Sequence, residues 1–125
     1  MKEIDLIECK LKFKKHYIIL ELKDGAHFDS RLFEQSYELK LNYYGTKPVG
    51  IIIPPRENKQ DSYSFNPLIL IEYYFTFKAQ VKWVALLSND SIDVNHLEYV
   101  KKFTKIPCYI FKNEKEVILR FKLTY

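Results

Sequence analysis

The chain reads as one α/β domain built on a mixed, mostly parallel five-stranded sheet, with an N-terminal β-hairpin and about four helices. Three observations predict this. Apolar runs of strand length alternate with segments of helical period from residue 29 onward, the order expected for crossover units and a parallel sheet. The first 22 residues instead hold two consecutive strand-like runs separated only by Lys14 and Lys15, the mark of an antiparallel pair. The length, 125 residues, fits a single domain, 1–125, large enough to bury a core without staples.

In order, residues 4–13 and 16–22 form the hairpin, and Asp24-Gly25 closes it with turn chemistry. Asp29 or Ser30 caps the first helix, since either side chain can accept from the free N–H groups of its first turn. Phe33, Tyr37, Leu41 and Tyr44 follow at steps of three and four, and Gly45 ends the helix. Residues 48–53 are short and continuously apolar, as in a strand covered on both faces. After the polar segment 54–66, Asn66-Pro67 opens a helix over 67–77, with Asn as cap and Pro where a missing N–H costs nothing. Residues 81–87 make the next strand. Asp93 caps a helix carrying Val94, Leu97, Val100 and Phe103. Residues 107–111 make the last strand, and Asn113 to Glu116 resembles a capping box ahead of a final helix with Val117, Ile118 and Phe121.

Composition limits function. Apolar residues make up 47% and aromatic residues 16%, which argues against disorder. The net charge of +4 comes from 20 basic and 16 acidic residues, interspersed, and arginine occurs only at positions 31, 56 and 120. This gives no expectation of a nucleic-acid partner. The three glycines cannot write a phosphate-binding glycine loop. Cys9 and Cys108 lie in strands and read as buried thiols of a reducing compartment. The N-terminus lacks signal-peptide character, and the longest apolar run is about half a membrane span. A cytoplasmic protein with no membrane span is expected. His16, His27 and His96 lack ligand spacing, so no metal and no cofactor are expected. There is no GxSxG elbow and no catalytic constellation, so no enzymatic activity is expected.

In an open α/β sheet, ligands and partners meet the loops beyond the carboxyl ends of the parallel strands. The long loop 54–66 lies there, as do the short loops 88–91 and 112–113. The long loop's candidate partner-binding residues are Arg56, Asn58, Asp61, Ser62, Tyr63, Ser64 and Asn66. Arg56 either pairs with Asp61 to shape the loop or offers a fork to a carboxylate or phosphate. Ser62 and Ser64 either make turn hydrogen bonds or accept phosphate, since the helix that follows favours an anion at its N-terminus. Tyr73, Tyr74 and Phe77 belong to a dense aromatic stretch. They serve the core, a homodimer or protein contact, or a groove for a lipid-like apolar ligand.

Several of these segments also resemble a known family. ELKDGAHFD, the helix ending in NYYG, GIII running into Arg56 and Asn58, DSYSFNPL, VKWVALLS and IPCYIFKNEKEVI occur in the order found in STAS-type domains of anti-sigma-factor antagonists. The resemblance points to a small bacterial branch grouped with STAS and CRAL-TRIO-like proteins, and R-x-N…SYSxNP is its most characteristic stretch. It implies a non-catalytic domain that contacts a protein through the loop after the third strand and the start of the next helix. In sporulation-type members that place holds a phosphorylatable Ser in an Asp-x-Ser-Gly context. Here it reads Asp61-Ser62-Tyr63-Ser64, and no Gly follows either Ser. The function expected is a regulatory interaction module, with a carrier or sensor of a small apolar ligand as the alternative.

Overall fold

The computed structural model describes residues 2–56 and 63–123. Among these residues the main sheet has six strands. The first three, β1 (Lys2–Asp5), β2 (Cys9–Phe13) and β3 (Tyr17–Leu22), form an antiparallel meander. β5 (Val49–Ile53), β7 (Val81–Leu86) and β8 (Cys108–Ile110) then add in parallel. The mixed, mainly parallel character is as expected from the alternation of elements.

The count of five strands is corrected to six. Residues 4–13 are two strands, not one, because the chain reverses at residues 6–8. Leu6 N–H donates to Cys9 O at 2.8 Å, and Lys23 Nζ reaches Leu6 O at 2.6 Å and also pairs with Asp5. The turn carries no Gly, Pro or Asn, and its tip residue Ile7 is exposed. Outside the main sheet, β4 (Ala26–Phe28) and β6 (Tyr63–Phe65) pair in parallel, with His27 opposite Ser64. This small sheet ties the segment before the first helix to the end of the polar loop.

Among the described residues five helices flank the sheet. Asp29 caps α1 (Ser30–Tyr44), its side chain accepting from Leu32 N–H at 3.1 Å. The expected helix 67–77 is two helices, α2 (Leu68–Glu72) and α3 (Tyr74–Gln80), broken at Tyr73. At the break Tyr73 N–H reaches Ile69 O and Phe77 N–H reaches Tyr73 O, each at 2.9 Å. Pro67, not Asn66, is the cap residue of α2, and Asn66 stands one place earlier with Oδ1 accepting from Leu68 N–H at 3.1 Å. α4 (Ser91–Thr104) is capped by Asp90 rather than Asp93, with Asp90 Oδ1 accepting from Ile92 N–H at 3.0 Å. Before α5 (Glu114–Phe121), Asn113 accepts from Glu116 N–H while Glu116 accepts from Lys112 N–H, close to the reciprocal box expected.

Alternation along the strands assigns the two faces of the sheet. Tyr17, Ile19, Ile52, Trp83 and Ala85 meet Val117 of α5 on one face. On the other, Leu11, Ile18 and Val49 meet Leu32 of α1, and Val84 and Leu86 meet Leu97 of α4. Between α1 and α4, Ile69 and Leu70 of α2 pack with Phe33. Both cysteines are free thiols, and burial pushes each pKa up to about 11, as befits packing residues.

Candidate functional site

Arg56, the last described residue of the polar loop's first half, leaves β5 at the carboxyl end of the sheet. Its side chain is only 8% exposed. Nη2 lies 2.9 Å from Asp90 Oδ1, and Nε lies 3.7 Å from Asp93 Oδ1. Tyr63, the first described residue beyond the gap, donates its hydroxyl to Asp93 Oδ1 at 2.7 Å. Arg56 also lies over the Tyr63 ring, 5.6 Å from its centroid. Ser88, just past β7, donates to Asp93 Oδ2 at 2.8 Å and accepts from Asp90 N–H at 3.1 Å.

Asp93 is 5% exposed. Its carboxylate gathers two hydroxyl donors and the guanidinium, close to the full acceptor capacity of the group. The residues on either side of 57–62 therefore converge on one carboxylate from α4. The arrangement is a clamp at the neck of the loop. Burial, and then the bond to Asp93, drive the Tyr63 pKa far above the ordinary phenol value, so its proton stays in place.

Of the residues named for partner contact, Asn58, Asp61 and Ser62 lie outside the described residues. Arg56 and Tyr63 come together at the clamp. Ser64 is exposed on β6, with Oγ 2.6 Å from His27 Nδ1 of β4. Asn66 is spent on the start of α2, and its backbone N–H bonds Phe28 O at 3.0 Å. Tyr73 packs on Phe33 with ring centroids 4.4 Å apart and donates its hydroxyl to Glu34. Phe77 packs on the same ring at 4.6 Å, inside the molecule. Tyr74 is half-buried beside Phe75. The large apolar side chains of this stretch that face outward are Leu68, Ile71 and Phe75, at 64%, 58% and 84% exposure, with Glu72 exposed among them.

Sequence reasoning took Asp93 for a cap and His96 for a surface or turn residue; both belong to α4 and turn inward. One turn along α4, His96 sets its ring edge-on to Tyr63, centroids 4.9 Å apart. Its Nδ1 is buried without a hydrogen bond. Burial lowers its pKa, Asp93 opposes this in part, and Arg56 adds to the lowering. The unfolded chain therefore binds a proton more readily than the native one, so stability falls as pH drops below about 6.5. The expected result is a progressive loss of stability as the pH falls below about 6.5. Urea unfolding across that range checks it, with His96→Phe flattening the dependence.

Two cavities lie between the sheet and the helices. One, of about 110 Å³, is walled by Ile51, Ile53, Val84 and Leu86 of the sheet, with Tyr63 and His96 at its rim. The other, of about 90 Å³, adjoins α1. Phe77 lines both. Neither reaches the roughly 300 Å³ of a typical ligand pocket. Among the described residues no cluster of His, Cys, Asp or Glu could hold a metal ion, and no helix is long and apolar enough to cross a membrane.

No family model matches the sequence, and no match is found among curated proteins. A solved structure is similar: an uncharacterised protein of the DUF3478 family with a SpoIIAA-like fold from Shewanella loihica PV-4. It is 12% identical, with a TM-score of 0.56, and the match covers 90% of each chain. At that identity the likeness is one of fold. The chain has the SpoIIAA-like, STAS-type fold.

Proposed function

We propose that this SpoIIAA-like chain is a non-catalytic regulatory module that contacts a protein partner through loop 54–66 and the ridge of α2 and α3. The observation that carries the reading is the exposure of Leu68, Ile71 and Phe75 beside that loop. Leu68 and Ile71 share a face of α2 and Phe75 stands out from α3, so both helices expose apolar side chains here. The clamp at Asp93 supports the reading too, because it fixes Arg56 and Tyr63, two of the residues expected at the contact, in one arrangement. The partner is a different protein or a second copy of the chain. Phosphate on Ser62 or Ser64 would add about −1.5 to −2 charges at this edge and change partner affinity.

Ile71→Glu with Phe75→Glu tests the surface. Both positions are exposed, so stability should stay within about 0.5 kcal/mol of the parent. Cross-linking in the cells of origin, followed by sedimentation of the purified species, should show one defined complex or dimer. The double variant should lose it. A monomer without a cross-linked partner for the unaltered chain would sink the proposal.

A second reading, a carrier for a small apolar molecule, is favoured by the paired cavities on either side of Phe77. Each is smaller than the roughly 150 Å³ that holds a benzene ring in an engineered apolar core, so a guest would need the packing around Phe77 to give way. Their size suits a short chain or single ring rather than a two-chain lipid.

A further inference from the structure

The fold sorts by end the charges that the sequence intersperses. Parallel strands all start at one end of a sheet, so the connections leading into β5, β7 and β8 meet there. The antiparallel turn between β2 and β3 joins them. Hydrogen bonds tie these connections together. Gly50 N–H donates to His16 O at 3.2 Å, and the Tyr44 hydroxyl donates to Lys14 O at 2.5 Å. Lys40, buried near the end of α1, donates to Gly45 O at 2.8 Å and to Gln80 Oε1 of α3 at 2.5 Å. Pro107 O accepts from Val84 N–H at 2.9 Å.

Lys15 stands on the turn before β3, Lys47 on the connection to β5, Lys78 and Lys82 on either side of the start of β7, and Lys102 and Lys105 at the end of α4. All are exposed, and none makes an ion pair among the described residues. Burial, and then the charges of Lys47, Lys15 and Lys82, lower the His16 pKa, so these three lysines gather round one ring. Acidic residues are missing from the same places. None occurs at residues 9–20, 39–56, 73–89 or 99–113, and each of those spans holds one of the connections. Glu114 reaches toward this end from α5, where it accepts from the Tyr17 hydroxyl at 2.5 Å. Glu3 lies on the border strand β1, opposite Lys12. Asp29, Asp90 and Asp93 serve caps and the clamp at the opposite end.

We propose that this lysine end docks on an anionic lipid bilayer. Lysine is a compact, hydrated point charge that suits a diffuse layer of headgroup charge, and each one near such a surface is worth about fivefold in affinity. A nucleic acid is gripped more often by the arginine fork, and no arginine stands on these connections. Two exposed tyrosines accompany the lysines, Tyr43 in the last turn of α1 and Tyr99 in the second half of α4. Tyrosine suits the headgroup layer, its ring apolar and its hydroxyl wet. Docking by this end turns loop 54–66 and the Asp93 clamp away from the bilayer, where a protein can still reach them.

Co-sedimentation with vesicles of phosphatidylcholine, alone or with about 30% phosphatidylserine, tests this docking, with short duplex DNA assayed alongside. The chain should bind the mixed vesicles and not the neutral ones, and binding should weaken as salt rises. Lys82→Glu should weaken it at least about fivefold, and Lys47→Glu with Lys82→Glu at least about twenty-five-fold. Lys47→Arg with Lys82→Arg should retain it. Lys112→Glu makes the same charge change beyond the carboxyl end of β8 and should stay within about twofold of the parent, since salt screens distant charges. These side chains are exposed, so the variants keep the fold. Equal losses from Lys82→Glu and Lys112→Glu would make net charge the cause and overturn the docking face. A chain that holds the duplex and ignores the mixed vesicles, or one that binds neither, overturns it as well.

Discussion

Asp93→Ala should cost about 3 kcal/mol of folding free energy, the toll of removing one partner from a buried ion pair. The change strands the hydroxyls of Tyr63 and Ser88, which both donate to this carboxylate, and leaves Arg56 with one fewer counter-charge. Asp90 still faces Arg56 at 2.9 Å, which keeps the loss at the lower end of the range for buried pairs. Asp90→Ala is the comparison: it removes a half-exposed cap and the nearer partner of Arg56 but keeps Asp93 with its two hydroxyl donors, and should cost about 2 kcal/mol. Urea unfolding of both variants measures the difference. Equal losses would mean that Asp93 does not hold the neck of the loop. Replacing Arg56 and Asp93 together with Met and Leu should recover part of the stability, since an apolar pair does not leave a buried charge unmatched.

Gly50→Ala should destabilise the fold by about 3 kcal/mol through overpacking. A Cβ at Gly50 would stand 2.2 to 2.4 Å from the Trp83 ring, far inside contact distance. The ring cannot yield easily. It is buried and stacked on Phe121, centroids 4.6 Å apart at an interplanar angle of 9°. β5 is the central parallel strand, paired to β3 and β7, so its backbone is equally constrained. Combining Gly50→Ala with Trp83→Leu makes room for the methyl group. The pair should be less destabilised than the sum of the single changes. Simple additivity would show that the clash relaxes in some other way.

The elements legible in the sequence are those whose signals are local. Asp29 and Asn113 announce their helices because a cap acts within one turn. The run at β5 announces a strand covered on both faces because nothing polar interrupts it. What escaped notice depends on distant partners. The reversal at residues 6–8 has no turn residue to mark it and is tied down by Lys23 from the next strand but one. The break at Tyr73 has no proline or glycine, and Tyr73 instead packs against Phe33 of another helix. The same logic governs the site. The polar loop was found as a place, but the residue holding it was not. Locally, Asp93 near a helix start is indistinguishable from a cap, and its role is set by Arg56 and Tyr63, both more than a helix away in sequence. Lys40 likewise looks like one more solvated lysine until its burial is known.

The borders of the main sheet bear on how the chain meets copies of itself. β1 closes one side, and three of its four residues are charged: Lys2, Glu3 and Asp5. β8 closes the other and offers only three residues. Charged or very short border strands discourage strand-to-strand addition. Concentrated solutions should therefore resist fibril growth by sheet extension, even though β3, β5 and β7 are rich in the β-branched residues that favour it. Any association between copies is steered away from backbone pairing and toward side-chain surfaces, where single residues can tune it.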